Sequence, residues 1–538
     1  MMMLPLTRRV HQGCTGIALA ALLLGAGTAR ADDPPSPHAA AGTNAAPAAA
    51  APKAAEPKKE EPKKEDAKVT AAVPDATRKP IRTTNTVVIA GQPVTYAAET
   101  GMLPLLKPDG AARASVFYIA YTKLGETNLT RRPVTYCFNG GPGSSSVWLH
   151  LGGLGPRRVL MNEDGTLPKP PFGLVDNEFS ILHATDLVFI DPVPTGFSRP
   201  AKDEKTEQFL GQTADLESVG EFIRLWTTRH ARWLSPKYLC GESYGVFRAA
   251  GLSEYLHSRY GLYVNGLMLV SGLLDYATLR EGPGNDLPAM LFLPTYTTTA
   301  YFHKKLPPDL QADLGKARAE AREFMRGEYP AALLQGAALP ADQRAKVVAK
   351  LARLTGLPPR FIEEHDLRID SSAFRKALLH DEGLIIGRYD ARITGRDGHP
   401  AEPNPEFDPS YSATYGPFSA AINSYLHEEL KFEDDLPYEL LTGVQPWNYP
   451  VRGSYPSVAA MLASEISENP HLRVLVLGSL RDLACPIDGI RYSIDHLAID
   501  PTYRTNFTYA EYEAGHMMYV NRPDLAKLQK DLAAFVAP

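Results

Sequence analysis

The stretch LCGESYGVF, residues 239–247, decides how the rest of the chain reads. Gly241-Glu242-Ser243-Tyr244-Gly245 fits G-x-S-x-G, a turn that exposes a serine between a strand and a helix. The pattern alone is weak, because with glycine near 7% of residues chance supplies roughly 0.2 matches in a chain this long. Its setting strengthens it. KYLC (237–240) reads as a short buried strand, and VFRAAGLSEYLH (246–257) as a helix. Two glycines give room for a sharp turn, and the helix N-terminus aims its free N–H groups at developing negative charge. The acid directly before the serine, Glu242, is not explained by this reading alone.

A nucleophilic serine needs a base, and the base an orienting partner. On a strand–turn–helix scaffold the expected chain order is Ser, then Asp or Glu, then His. RVLVLGSLRDLACP (473–486) supplies Asp482 just past a strand, and TNFTYAEYEAGHMMYV (505–520) supplies His516 in a glycine turn past another. His496, Asp488 and Asp495 are rivals, but they fall in or beside GIRYSIDHLAID, which reads as a helix. For the oxyanion, CFNGGPGSSS (137–146) follows the strand VTYCF with three glycines that let backbone approach a substrate. A phosphate loop is the competing reading, but the G-K-[ST] ending is missing.

Around these motifs, ASVFYIAYT, DLVFID, GLMLVSG and RVLVLG read as buried strands, and ADLESVGEFIRLWTTRHA as a helix. Strands alternating with helices predict an α/β fold, with a mostly parallel sheet covered on both faces and its site beyond the strands' carboxyl ends. The net charge of −5 offers no electrostatic footprint for nucleic acid. No His/Cys/Asp cluster has zinc spacing, and neither a metal nor a cofactor is implied.

Five blocks in order carry a resemblance. FNGGPGSSS, NEFSILHATDLVFIDPVPTGFS (177–198), GESYG, GSLRDLACP and AGHMMYVNRP resemble the signature segments of the serine carboxypeptidases (peptidase family S10), as a bacterial-type member. The blocks cover about 115–255 and 470–525. The resemblance implies the α/β-hydrolase fold with a helical lid insertion, and peptide substrates with a free C-terminus. It makes Ser243 the nucleophile, His516 the base and Asp482 its orienter. Gly141 and Tyr244 would supply the oxyanion-hole N–H groups. Asn139, Gly140 and Glu242 would hold the substrate's terminal carboxylate, which gives Glu242 its reason.

Two departures stand out. GGLGPRRV puts Gly153 where the family has a second glutamate, and Ser144 replaces the cysteine after the glycine loop, so the family's disulfide there cannot form. Fewer crowded carboxyls are expected to move activity toward neutral pH. Arg157 or Arg158, just downstream, is the expected positive partner in place of the missing acid.

The chain divides by composition. Residues 1–31, with Arg8 and Arg9, an apolar run and Ala29-Arg30-Ala31, read as a signal peptide. An uncleaved anchor is the alternative. Residues 32–80 read as a disordered Ala/Pro/Lys/Glu-rich linker. Residues 81–284 and 441–538 form the two parts of the core, and 285–440, with its Ala/Leu/Lys/Arg/Glu helices, a lid. The expectation is an exported protein, periplasmic or secreted, with no stable membrane insertion after signal removal. Oligomeric state is not readable. With the leader gone, Cys137, Cys240 and Cys485 are an odd number, so at least one thiol stays free or pairs elsewhere, and each ends an expected strand near an expected catalytic loop. A free thiol near the site and inhibition by mercurials are expected.

Three functions follow in order: a carboxypeptidase, an esterase or acyltransferase on the same scaffold, and a binding protein with an inactive hydrolase fold.

Overall fold

The computed structural model describes residues 79–537, so the leader 1–31 and all but the last two residues of the 32–80 tract lie outside the described residues. From Lys79 on, the chain forms one sheet-centred body. Nine strands build the main path: β1 Ile81–Ile89, β2 Gln92–Leu106, β3 Ala112–Lys123, β4 Val134–Phe138, β5 Asp186–Ile190, β6 Lys237–Glu242, β7 Gly266–Val270, β8 Arg473–Ser479 and β9 Phe507–Tyr512. Their order is β1-β2-β3-β5-β4-β6-β7-β8-β9, with the two-residue strand Arg199–Pro200 added on β3. β1, β2, β3 and β5 pair antiparallel. From β5 to β9 every pairing is parallel. This is the α/β-hydrolase arrangement expected from the sequence.

Alternate side chains of the central strands point to opposite faces of the sheet, and each face has its own core. Leu239, Leu267, Leu269, Val474 and Val476 point into one cluster, with α1 (Gln212–Arg229) and α2 (Tyr244–Tyr260) over it. Tyr238, Cys240, Met268, Val270, Leu475 and Leu477 point into the other, under α6 (Pro409–Glu428) and α7 (Arg522–Val536). Both faces are covered, which is why these strands are apolar throughout.

The inserted helices include α3 (Leu293–Phe302), α4 (Leu314–Arg326) and α5 (Ala341–Thr355). They share a third cluster, built on Phe292, Tyr296, Phe324, Leu351 and Phe374, into which the catalytic-loop residue Leu483 also inserts. The later helix α6 belongs instead to the sheet's own core through Phe418, Ile422 and Tyr425. The segment 285–440 is therefore split between two bodies of packing.

The chain runs from β4 to β5 on one side and then to β6 on the other. The loops after β4 and β6 thus leave adjacent strands side by side, at the switch point where such sheets bind ligands.

Candidate active site

β6 delivers Glu242 and the turn delivers Ser243. Ser243 sits at φ 61°, ψ −125°, in the positive-φ region that costs a non-glycine residue about 1–3 kcal/mol. The turn is held by Ser243 N donating to the Val270 carbonyl at 3.0 Å and Val246 N donating to the Ser243 carbonyl at 2.9 Å. The flanking glycines are required by clearance: a Cβ on Gly241 would strike the Gly245 carbonyl, and one on Gly245 would lie 2.8 Å from the Phe138 carbonyl.

Asp482, fully buried past β8, accepts at Oδ1 from Ala484 N at 2.8 Å and Cys485 N at 2.9 Å. Its Oδ2 accepts from His516 Nδ1 at 2.8 Å, which leaves Nε2 free to face the serine. Burial is the largest influence on His516 and opposes its charge, but the Asp482 and Glu242 carboxylates together make the net shift upward. Ser243 and His516 line one pocket of about 80 Å³ with Asn139, Gly140, Gly141 and Glu242. Among the described residues no hydrogen bond joins Ser243 to His516. Such contacts tighten when substrate displaces water. The rivals lie elsewhere: Asp488 pairs with Arg322 at 2.9 Å, and His496 bonds the carbonyl of Tyr492.

The glycine loop is pressed onto the elbow. A Cβ on Gly140 would collide with the Tyr244 amide. This brings the Gly141 backbone beside the first N–H of α2, which has no intrahelical partner. Where Ser144 replaces the family's cysteine, hydrogen bonds tie the loop to the 440s. Ser145 N donates to the Leu440 carbonyl at 3.1 Å, Thr442 N to the Gly143 carbonyl at 2.8 Å, and Ser144 Oγ to the Leu440 carbonyl at 3.3 Å.

Glu242 lies under the pocket. Its Oε2 accepts from Asn139 Nδ2 and from the Tyr519 hydroxyl, each at 2.8 Å. Asn139 is thus partly spent inside the protein; its Oδ1 accepts from Leu149 N at 3.0 Å. Burial pushes the Glu242 carboxyl up to about 7, against the opposing influence of His516, Tyr519 and Asn139. A carboxyl that keeps its proton near neutrality can donate to another carboxylate.

Tyr519 escaped the reading of the sequence. Its ring packs over Gly152 and Gly153, where an added Cβ at Gly153 would meet Tyr519 Cβ at 3.0 Å. A tyrosine thus fills the space beside the glycine and hands its hydroxyl to Glu242. Also unforeseen, Arg388, Tyr389, Tyr411 and Leu441 line the pocket, and the Tyr389 ring stacks on His516 at 5.2 Å. The expectation for Arg157 and Arg158 is corrected. Arg157 pairs with Asp176 and Glu429, Arg158 pairs with Glu178, and neither lines the pocket, because these carboxylates already hold both guanidinium groups.

All three described cysteines are free and buried. Cys485 lies beside the Ser243 hydroxyl, and burial raises its thiol well above the ordinary range. Cys137 and Cys240 are neighbours on β4 and β6.

Residues 91–281 match the family profile described as serine carboxypeptidase. Serine carboxypeptidase-like 34 of Arabidopsis thaliana is 29% identical over 205 residues, which are 36% of this chain and 38% of that protein. Serine carboxypeptidase-like 36 of the same plant is 32% identical over 176 residues, 32% of this chain and 33% of that protein. The chain thus spans well under half the length of these curated relatives. Among solved structures, a prohormone-processing carboxypeptidase from Saccharomyces cerevisiae aligns over 82% of this chain and 91% of its own, at 19% identity and a TM-score of 0.49. The segment that carries the nucleophile turn and the glycine loop is thus similar to the serine carboxypeptidases.

Proposed function

We propose that the protein is an exported serine carboxypeptidase that removes C-terminal residues from peptides through an acyl-enzyme. The observation that carries this reading is Glu242: a buried acid, held by Asn139 and Tyr519, directly under a serine–histidine pocket. Ester or amide hydrolysis in general has no use for a protonated carboxyl there. Recognition of a substrate's terminal carboxylate does.

In this mechanism Ser243 Oγ attacks the last peptide carbonyl and passes its proton to His516 Nε2. Asp482 fixes the ring through Nδ1 and stabilises the imidazolium. The oxyanion is received by the N–H groups of Gly141 and Tyr244. The protonated imidazole gives its proton to the departing amine. It then takes one from water, which attacks the acyl-serine and releases the shortened peptide. Glu242, with Asn139 and Gly140, holds the carboxylate of the leaving residue. Residues 285–440 cover the cleft as the lid. Export rests on the leader read at 1–31, and periplasmic or secreted destinations both fit it.

The esterase or acyltransferase reading drew on the missing acid at Gly153. Tyr519, packed on that glycine and bonded to Glu242, weakens the argument by giving the remaining acid a new partner. The test uses protein lacking residues 1–31 beside its Ser243→Ala variant, with a blocked peptide as free acid and as amide, followed by mass spectrometry. Serine-dependent loss of one residue from the free acid alone is expected. Equal cleavage of the amide would overturn the carboxypeptidase reading.

A further inference from the structure

Arg388 is an unpaired cation at the catalytic centre. It lines the pocket with Glu242, Ser243 and His516. Among the described residues it forms no ion pair, whereas Arg392 pairs with Asp390 at 2.6 Å and Arg481 with Glu513 at 2.8 Å. Its closest side-chain partner is the face of Tyr389, 5.4 Å from the guanidinium. Asp408, the nearest carboxylate in sequence to bond it, spends its Oδ1 on the Arg388 backbone N–H at 3.0 Å and on capping α6.

The backbone around Arg388 is fixed to both catalytic loops. Leu483 N donates to the Arg388 carbonyl at 3.1 Å, Ala391 N donates to the Arg481 carbonyl at 3.0 Å, and His516 N donates to the Tyr389 carbonyl. The backbone that carries Arg388 is therefore held in register with the loops of Asp482 and His516. Its charge disfavours protonation of His516 and lowers the Cys485 thiol, as a cation close to both must. A guanidinium binds carboxylates through two parallel N–H bonds and stays charged at every working pH. Left half-buried without a counter-ion, it is completed by an anion that arrives with the substrate.

We propose that Arg388 is the anion-recognising residue of this cleft, binding a carboxylate of the substrate, either its C-terminal carboxylate or an acidic side chain flanking the scissile bond. The assignment rests on the carboxypeptidase reading for its peptide substrates, but the charge requirement itself needs only a working serine hydrolase.

The test compares wild type, Arg388→Gln and Arg388→Lys. The substrates are blocked dipeptides as acid and amide, the same peptides with Glu or Gln on either side of the scissile bond, and two p-nitrophenyl esters, one a hemisuccinate and one a butyrate. The expected result is that the wild type prefers carboxylate-bearing substrates. This preference falls about 10- to 100-fold in Arg388→Gln, chiefly through KM, and is partly restored in Arg388→Lys. Loss of the acid-over-amide ratio assigns the terminal carboxylate, and loss of the Glu-over-Gln ratio assigns the side chain. Fluorophosphonate labelling of Ser243 reports whether each variant retains a folded site. Ratios within twofold of wild type in a variant that still labels would overturn the proposal. If the wild type cleaves no peptide but its hemisuccinate preference collapses in Arg388→Gln, the carboxypeptidase reading fails and Arg388 stands.

Discussion

The floor and the roof of the pocket are built on different terms. The floor comes from strand ends: Ser243 and Glu242 from β6, the glycine loop from β4, Asp482 and His516 after β8 and β9. There, Asp482 has three donors, Glu242 has two, and the glycines leave no spare space. The roof comes from the insertion, with Arg388, Tyr389 and Tyr411, and from Leu441 just past it. It contributes aromatic faces and a cation without a partner. The acids of the floor are satisfied before substrate binds, whereas the cation of the roof is not. The difference separates bond breaking, which needs preorganised donors, from substrate choice, which needs groups that remain to be satisfied.

The largest effects should come from the floor. Ser243→Ala should lower kcat by about 10⁴-fold or more, measured by burst-free turnover of a free-acid peptide. A residual rate within tenfold of wild type would remove the distinction at once. Gly140→Ala should cost about 10²- to 10³-fold in kcat, because the new methyl displaces the Tyr244 amide from the oxyanion position. A change in KM alone would show that the glycine loop serves binding and not the chemistry.

The pH profile sharpens the comparison within the floor. Glu242 keeps its proton up to about 7 because it is buried, so it can donate to a substrate carboxylate below that pH and repels it above. KM for free acids should rise above pH 7, steepening toward about tenfold per unit, while KM for amides stays level. On the acid side kcat should fall as His516, shifted upward mainly by Asp482 against its burial, takes up a proton. The same raised Glu242 contributes to folding stability below its ordinary value of 4.5 and loses that contribution as pH rises through about 7. The smallest effect is Tyr519→Phe. Removing a donor to Glu242 Oε2 should leave KM for free acids near pH 6 within about twofold and move the basic limb to higher pH. A purely structural role for Tyr519 would lower stability and leave the limb in place.

The floor was legible in the sequence because local rules govern it. G-x-S-x-G between a strand and a helix admits one conformation, and Asp482 and His516 follow in the chain order that this turn predicts. The hairpin of β1 and β2 was not resolved as strands, since IRTTNTVVI alternates exposed polar residues with few large apolar ones. Tyr519 and Arg388 were missed for a different reason. Tyr519 reaches Glu242 across 277 residues, and Arg388 arrives from a segment that matches no motif. The arginines next to Gly153 were chosen by proximity in sequence, yet their strand carries them to Asp176, Glu178 and Glu429. Contacts of that range depend on how the insertion packs against the sheet, which no local pattern records.

The most direct test of the account is the ratio of kcat/KM for one blocked peptide as its free acid to that of its amide, from pH 5 to 8. Reading of the terminal carboxylate by Glu242 and its neighbours predicts a ratio above about 100 near pH 6, falling as Glu242 ionises past 7. A ratio near one, flat across that range, would contradict it.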